Sequence, residues 1–204
     1  MTTIIRKTFA NEFKITENLT REAFWNLYKP GCDEHLALHQ LRRSTSYISE
    51  LDLVAVLNVN LVGHIITTKA KVRDSSGSES EVLCVGPVSV LPGLQGQGIG
   101  SALIRESIRF AGDMGYRGMV LFGNPDYYHR FGFKNAGEYG ITTKDGQNFE
   151  PFMALELFPG ALSTINGRFF EDKAFETDGQ SLEAFEKQFP FKEKGTPKIN
   201  IEIL

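Results

Sequence analysis

The sequence has few cysteines, no long apolar run and no excess of positive charge. Its 204 residues include only two cysteines, Cys32 and Cys84, which are too few for a framework of disulfide bonds. No apolar stretch approaches the roughly 20 residues needed to cross a bilayer, and the first residues lack the apolar core of a signal peptide. We therefore expect a cytoplasmic, soluble protein that does not associate with membranes.

The charge balance limits what the chain can attract as a whole. Lysine and arginine together number 22 and aspartate and glutamate 25, so the formal net charge is -3 at pH 7. Such a chain has no general attraction for phosphate backbones or anionic lipids. We expect no nucleic-acid partner, and any anionic ligand must be bound by a local arrangement of groups.

Length and composition predict one ordinary globular domain with an appendage. Hydrophobic residues make up 41% of the chain and charged residues 23%, which is unlike a disordered sequence. A chain of this length can bury a substantial core. We predict a principal domain over residues 1–150 and a C-terminal extension over residues 151–204 that packs on the same domain.

The N-terminal part predicts a strand followed by two short helices. Residues 4–9 have the composition of a strand, and Thr20 is placed to cap a first helix that Pro30 and Gly31 would end. A second helix is predicted over residues 35–43 from its leucine spacing.

The next segment predicts an antiparallel hairpin and then an interrupted strand. Residues 53–57 and 61–72 are rich in Val, Leu and Ile and flank a short polar turn, as in a hairpin. Residues 82–91 return to strand composition but contain Pro87. Because proline cannot donate to a strand ladder, this strand must be an edge or bulge away from a neighbour, which leaves backbone groups free.

A strand, a glycine loop, a helix and a second strand then follow in order. Residues 98–114 form an amphipathic helix pattern that Gly115 ends. The uninterrupted apolar run 119–122 is typical of a strand buried on both faces and parallel to its neighbour. This order predicts a right-handed βαβ unit. The fold class is therefore α/β, with a mixed central sheet that is antiparallel at its start, parallel around the helix and opened near Pro87.

The loop before that helix is the most informative stretch. Its predicted binding residues are Gln95, Gly96, Gln97, Gly98, Gly100 and Ser101. Glycines let backbone N–H groups face outward, and a helix start adds partial positive charge, so the loop is predicted to hold a pyrophosphate. Its spacing matches neither the dinucleotide-binding fingerprint nor a P-loop.

The spacing Gln95-x-x-Gly98-x-Gly100 resembles the Gln/Arg-x-x-Gly-x-Gly/Ala signature of the GNAT superfamily of acyl-CoA-dependent N-acetyltransferases. The context matches too, because a Gly-Pro pair interrupts the strand before the loop and an Asn-(x)3-Tyr-(x)3-Gly-Phe run follows the next strand. The resemblance covers residues 53–133. Residues 152–162 also look like a bacterial subgroup of predicted acetyltransferases whose substrates are unassigned.

The resemblance implies roles for particular residues. It implies acetyl-CoA as cosubstrate, with the backbone groups of Val88 and Val90 pairing with the pantetheine arm and the glycine loop on the pyrophosphate. Asn124 matches a residue near the sulfur end, and Tyr128 matches a tyrosine that protonates the leaving thiolate. A phenol suits that task because its ordinary pKa of about 10 keeps it protonated at neutral pH.

The implied reaction is direct attack of a primary amine, on a small molecule or a peptide, on the thioester carbonyl. A backbone N–H such as that of Val88 would stabilise the oxyanion. Some relatives place a glutamate base eleven residues before the motif, but this chain has Cys84 there. Glu79, Glu81, Asp126 or a water chain are the alternatives for the base.

Other interpretations stay open at this stage. The protein could be a CoA-binding sensor without activity, and Tyr128 could be a packing residue in an aromatic cluster. Cys32, His35 and His39 have spacing that a metal site could use, which suggests a metal-binding regulatory protein, but no fourth ligand is evident. We expect no metal requirement and either a monomer or a homodimer.

Overall fold

A computed structural model describes residues 3–199, so predictions for residues 1, 2 and 200–204 lie outside the described residues. Within that range the chain forms nine strands and five α-helices. The strands are β1 (Ile4–Lys7), β2 (Asp52–Leu57), β3 (Asn60–Arg73), β4 (Glu79–Val90), β5 (Gly118–Phe122), β6 (Lys134–Asn135), β7 (Ile141–Thr142), β8 (Phe152–Glu156) and β9 (Gly167–Phe170). The helices are α1 (Phe13–Phe24), α2 (Glu34–Leu41), α3 (Ile99–Asp113), α4 (Pro125–Tyr128) and α5 (Gly179–Glu186).

The strands form one mixed sheet in the order β1-β2-β3-β4-β5-β8-β6, with β9 pairing to β3 and β7. The first four strands are antiparallel neighbours, whereas β4 and β5 are parallel. The predicted fold class, antiparallel at its start and parallel around α3, is confirmed. The predicted hairpin is present, and its turn consists of Asn58 and Val59, whose φ angles of 48° and 63° are those of a two-residue hairpin turn.

Strands β4 and β5 separate shortly after they meet. Among the described residues only Leu83 and Cys84 of β4 pair with β5. On its other side β4 stays paired with β3 as far as Val90, with a register shift where Ile65 and Thr67 face it. The Gly86–Pro87 peptide bond is cis and lies just beyond the point of separation. The predicted opening of the sheet is thus present.

Helix α3 covers the sheet beside this opening. Leu103 and Ile104 are almost fully buried and lie in the main core cluster with Ile65 and Leu83. The β5 residues from Met119 to Leu121 are at most 1% exposed, so the strand is buried on both faces as its apolar run predicted. Burial on this scale is what holds the strand–helix–strand unit together.

The predicted start of the first helix was wrong. Thr20 lies inside α1, which runs from Phe13 to Phe24, and it is fully buried. Its hydroxyl accepts a 3.0 Å hydrogen bond from Ser89 of β4. The buried face of α1 carries threonine, glutamate and arginine as well as leucine. An apolar pattern cannot locate a helix whose buried side is polar, because the partners that satisfy it lie elsewhere in the chain.

A buried polar cluster ties the α1–α2 pair to the sheet. Asp52 and His64 are fully buried on β2 and β3, with His64 Nε2 2.8 Å from Asp52 Oδ1. Arg42, just after α2, donates to Asp52 Oδ2 at 2.8 Å and to the Phe13 carbonyl oxygen at 3.1 Å. The pKa of Asp52 is lowered: burial opposes the shift, and the charges and hydrogen bonds of His64 and Arg42 outweigh it. Both helices are thereby positioned over one end of the sheet.

Residues beyond 150 contribute to the sheet as well as to its surface. β8 lies between β5 and β6, and β9 pairs with the end of β3. Phe185 and Phe189 then pack around Leu36 of α2. No helix of the described residues is long and apolar enough to cross a membrane.

Candidate active site

The glycine loop presents the start of α3 to solvent. Gly96 and Gly98 have φ angles of 75° and 84°, in the left-handed region that favours glycine. Gly98 is the N-cap residue of the 15-residue helix, and no side chain caps it. The first N–H groups of a helix lack partners within it, and the helix dipole makes this end positive. The loop therefore has the features of an anion-binding site.

The free edge of β4 lies beside this loop. Val88 and Val90 pair with Ile65 and Gly63 of β3 on one side. Their other side is left open because β5 has diverged. Strand edge and loop together border a cleft of about 410 Å³. The predicted residues that line it are Val88, Val90, Gln95, Gly96, Gly98, Gly100, Ser101 and Tyr128.

Two predicted residues lie outside this first cleft. Gln97 Nε2 donates to the Gly93 carbonyl oxygen at 3.4 Å, which braces the loop from behind. Asn124 caps α4 by accepting from the Asp126 N–H at 2.9 Å, and it lines a second, neighbouring cleft instead.

Four further residues line this cleft, namely Leu94, Ile99, Tyr127 and Arg130, and the last two are polar. The Tyr127 hydroxyl is 3.4 Å from Ser101 Oγ, and a Cβ at Gly100 would stand 2.9 Å from that hydroxyl. Gly100 therefore allows the tyrosine to approach the helix. Arg130, whose guanidinium carbon is 4.9 Å from the centre of the Tyr127 ring, adds a positive charge to the cleft. No local motif identifies either residue, because only the turn at α4 brings them to the loop.

Tyr128 lies where the two clefts meet. It lines both, and its ring packs edge-on against Phe133 at 5.7 Å between centroids. Its hydroxyl has no hydrogen-bond partner among residues 3–199. Burial, and to a smaller extent Tyr127 and Tyr28, raises the pKa of Tyr128 well above the ordinary value for tyrosine. Tyr128 is therefore packed in an aromatic cluster, and its phenol is a protonated donor.

The second cleft has a volume of about 440 Å³ and shares Val88, Tyr127 and Tyr128 with the first. Its walls come from the end of α1, the start of α2, the separation of β4 from β5, and the chain after β9. Three carboxylates line it, Asp33, Glu34 and Glu171. Its aromatic residues are Phe24, Tyr28, Phe122 and Phe175, besides the two shared tyrosines.

The three carboxylates differ in their partners. Asp33 forms an ion pair with Lys29 and accepts from Thr177 Oγ1 at 2.5 Å, and these contacts lower its pKa although burial opposes the shift. Burial raises the pKa of Glu34 and that of Glu171. Sequence analysis did not find these residues, since they come from segments far apart in the chain.

The carboxylates proposed from the sequence as the base lie elsewhere. Glu79 is nine residues before Val88 on an extended strand, a separation of about 30 Å, and it pairs with Lys71 and Arg73. Glu81 pairs with Lys69 at 3.3 Å. Both border an open groove of about 720 Å³ with charges of both signs. Neither these two nor the exposed Asp126 lines either of the joined clefts.

Of the three residues with metal-ligand spacing, Cys32 and His35 contact each other, whereas His39 contacts a residue of α1. Cys32 Sγ is 3.5 Å from His35 Nδ1, while His35 Nε2 faces Glu186 at 3.0 Å. His39 Nδ1 is 2.7 Å from Glu17. Within the described residues no group of three or more His, Cys, Asp or Glu side chains is arranged to hold a metal ion. These contacts fasten α2 to α1 and α5.

Comparison with known sequences gives matches in the same part of the chain. The model of a family described as Acetyltransferase (GNAT) family matches residues 15–133. The chain is 35% identical over 91 residues to the uncharacterized N-acetyltransferase YjhQ of Escherichia coli K12, covering 44% of this chain and 50% of that protein. It is 27% identical over 94 residues to the uncharacterized N-acetyltransferase YhbS of the same strain, covering 46% and 56%. The chain thus spans about half the length of the curated relatives it matches.

Solved structures match over more of the chain. A crystal structure of a GNAT family acetyltransferase from Brucella melitensis in complex with acetyl-CoA superposes with a TM-score of 0.70 and 30% identity. It covers 86% of this chain and 99% of that one. The structure of Escherichia coli YhbS in complex with CoA superposes with a TM-score of 0.75 and 23% identity, covering 87% and 93%, and shows the shared fold.

Proposed function

Because this chain belongs to the GNAT family of acetyltransferases, we propose that it transfers the acetyl group of acetyl-CoA to a primary amine of a small molecule or peptide. The observation that carries the proposal is the position of Tyr128, a residue that lines both clefts. The first cleft combines an anion-binding loop with an open strand edge, which suits a ligand that carries a phosphate group on an extended chain. The other is lined by carboxylates that suit an amine.

The first cleft fits the CoA part of the cosubstrate. The glycine loop and the start of α3 offer N–H groups to the pyrophosphate, and Arg130 adds a cation. The open edge at Val88 and Val90 offers backbone groups to an extended chain that carries amides, in the manner of an added strand. Gln95 Nε2 donates to the Val90 carbonyl oxygen at 3.1 Å, which joins the end of the strand to the loop.

Tyr128 is proposed to give a proton to the departing sulfur. Acetyl-CoA, when bound, supplies a thioester whose carbonyl carbon accepts the amine. Since burial raises the pKa of Tyr128, the phenol is protonated at neutral pH and can act as a donor. Among the described residues no other group competes for its hydroxyl.

The remaining expectations form part of the same proposal. We propose a cytoplasmic enzyme that needs no metal ion and acts as a monomer or a homodimer. We expect activity to persist after dialysis against EDTA. We also expect light scattering to show a single species with the mass of a monomer or of a dimer. Loss of activity restored by one added metal would contradict the metal-free reaction.

Calorimetric titration tests the cosubstrate first. Micromolar binding of acetyl-CoA and of free CoA, without binding of NAD, is expected. Absence of acetyl-CoA binding would overturn the proposal.

The Tyr128→Phe variant then separates an enzyme from a sensor. It is expected to keep its affinity for acetyl-CoA while its kcat falls by about a hundredfold, the usual contribution of general acid catalysis. Tyr116→Phe is the matched control, because Tyr116 lines neither cleft. Binding without turnover of any amine would instead identify a CoA sensor, and unchanged turnover in Tyr128→Phe would exclude Tyr128 as the acid.

A further inference from the structure

The second cleft contains negative charge without matching positive charge. No lysine, arginine or histidine lines it, although Asp33 is neutralised from outside by Lys29. Glu34 and Glu171 have no ion-pair partner among the described residues. Lys29 and Lys144 act on Glu34 and Glu171 from outside the cleft and partly oppose the rise in their pKa values. A cleft lined by three carboxylates and by no cationic side chain is suited to a cationic ligand.

Glu34 is held in place by the start of α2. Its Oε2 accepts a hydrogen bond of 3.1 Å from the Asp33 N–H, so one oxygen is bound to the backbone and the other is available. The residue is half-buried. Its charge also contributes to the raised pKa of Tyr28, and Tyr28 in turn influences Tyr128. Glu34 and Tyr128 line the same cleft.

Glu171 lines the same cleft at the point where the sheet opens. It directly follows β9, and its Oε2 accepts from Cys84 Sγ at 3.8 Å. Cys84 is one of the two β4 residues that pair with β5 before the strands part. Burial, reinforced by Glu171, keeps the thiol protonated by raising the pKa of Cys84. Glu171 thus projects from the chain after β9 to the vertex of the opening.

The two acidic residues differ in their access to water. Glu171 as a whole residue is more exposed to solvent than Glu34, although its carboxylate is desolvated enough for burial to raise its pKa. A base must release the proton it has accepted in each turnover, and an exposed residue can pass it directly to solvent. A raised pKa also brings a carboxylate closer to the value at which a base works best near neutral pH. Aromatic residues also line the cleft, including Phe122 and Phe175, and these suit an apolar stem.

We propose that the acceptor is a primary amine on a short apolar stem that carries a second cationic group, with Glu171 as the base for the reacting ammonium and Glu34 as the partner of the second cation. This inference rests on the proposed acetyl transfer. It assigns the acceptor chemistry and two further residues to the second cleft.

The proton balance is complete with these residues. The Glu171 carboxylate accepts one proton from the ammonium and later releases it to water. The neutral nitrogen forms its bond to the acetyl carbon as the carbon–sulfur bond breaks. Tyr128 gives its proton to the sulfur, and the proton lost from the new amide nitrogen restores the phenol. The net products are the N-acetyl amine, CoA and one proton.

Paired amines test the second cation. Butylamine and 1,4-diaminobutane share one stem, so their binding to the CoA-saturated protein, measured by calorimetry, isolates the second charge. The diamine is expected to bind about tenfold more tightly, as for one partly buried ion pair. Glu34→Gln should remove this preference, whereas Glu106→Gln on the exposed face of α3 should keep it. Equal binding of the two amines, or a preference that survives Glu34→Gln, would overturn this role.

A pH profile tests the base. Glu171→Gln is expected to lower kcat about a hundredfold at pH 7 and to affect amine binding less. The kcat of this variant should recover as the pH rises, because more of the amine is then neutral and needs no base. A merely structural role would not give that recovery, and Glu171→Asp should retain part of the rate. Unchanged kcat would exclude Glu171. Acetyl-CoA binding, measured in the same preparations, separates failure of this inference from failure of the proposed function. If acetyl-CoA does not bind, the proposed function itself is overturned. If acetyl-CoA binds but the diamine is not preferred, only this inference is overturned.

Discussion

The ring of Tyr128 lies directly against Gly123, the first residue after β5. A Cβ at position 123 would overlap the ring carbons Cδ2 and Cε2 of Tyr128. The absence of a side chain at Gly123 therefore decides how closely the tyrosine approaches the end of the strand. The position of the proposed acid depends on a residue that does no chemistry.

Replacement of Gly123 by alanine should displace Tyr128 without unfolding the protein. We expect kcat to fall about tenfold or more, because a small displacement of a donor weakens its contact in the transition state, while CoA affinity changes little. Kinetics together with calorimetry check this. Gly112→Ala is the matched control, since a Cβ there meets nothing within 4 Å and alanine is favoured in a helix. Full activity in Gly123→Ala would show that the contact does not position the tyrosine.

Gly98→Ala should weaken CoA binding through the backbone. The φ angle of 84° at Gly98 costs a residue with a Cβ about 1 kcal/mol. If the free loop relaxes and binding restores its conformation, the affinity for CoA falls about fivefold. Gly93→Ala is the control in the same loop, because a Cβ there meets nothing within 4 Å and its φ is not in the left-handed region. Equal affinity in the two variants would contradict this account.

Acidification should destabilise the protein through His35. Burial among Phe185 and Phe189 lowers the pKa of His35 to about 4, against the opposing charge of Glu186. Since the folded pKa is below the unfolded value, the unfolded state takes up more protons, and stability present above pH 6.5 is lost as the pH falls toward 4. The loss from this group is at most about 3 kcal/mol.

Urea unfolding at pH 7, 5 and 4 measures that slope. His35→Gln should be less stable than the wild type at pH 7 but lose less on acidification. The exposed His129, changed to Gln, should keep the wild-type slope. Parallel slopes for the wild type and His35→Gln would show that another group is responsible.

Arg21 should hold the C-terminal segment against α1. It is 2% exposed, donates to Glu186 at 2.5 Å and to the Pro190 carbonyl oxygen at 3.1 Å, and lies over the ring of Trp25. Arg21→Met should lower the free energy of unfolding by about 3 kcal/mol, because it leaves a partly buried carboxylate without its partner.

Denaturation and limited proteolysis test this together. We expect faster cleavage within the region after residue 178 in Arg21→Met. Arg109→Met provides the control, since Arg109 pairs with Glu106 and Asp113 on the surface of α3 and such pairs contribute about 1 kcal/mol or less. Equal stability of the two variants would mean that the segment is held by its aromatic contacts alone.

Local sequence signals located one half of the candidate site. The interrupted strand around Pro87, the glycine loop and α3 are consecutive in the chain, and their turns and periodicity depend on neighbours. Thr20 shows where such reasoning fails, because its burial is compensated by Ser89, 69 residues away.

By itself, the sequence determined the α/β class, the parallel pair around α3 and the glycine loop before that helix, because each is decided by residues close together in the chain. Only the tertiary structure decided what faces the other side of Tyr128. Glu34 comes from the start of α2 and Glu171 from the chain after β9, and neither stands in a motif. They share a cleft because the sheet opens beyond Cys84 and long-range packing brings both segments to that opening.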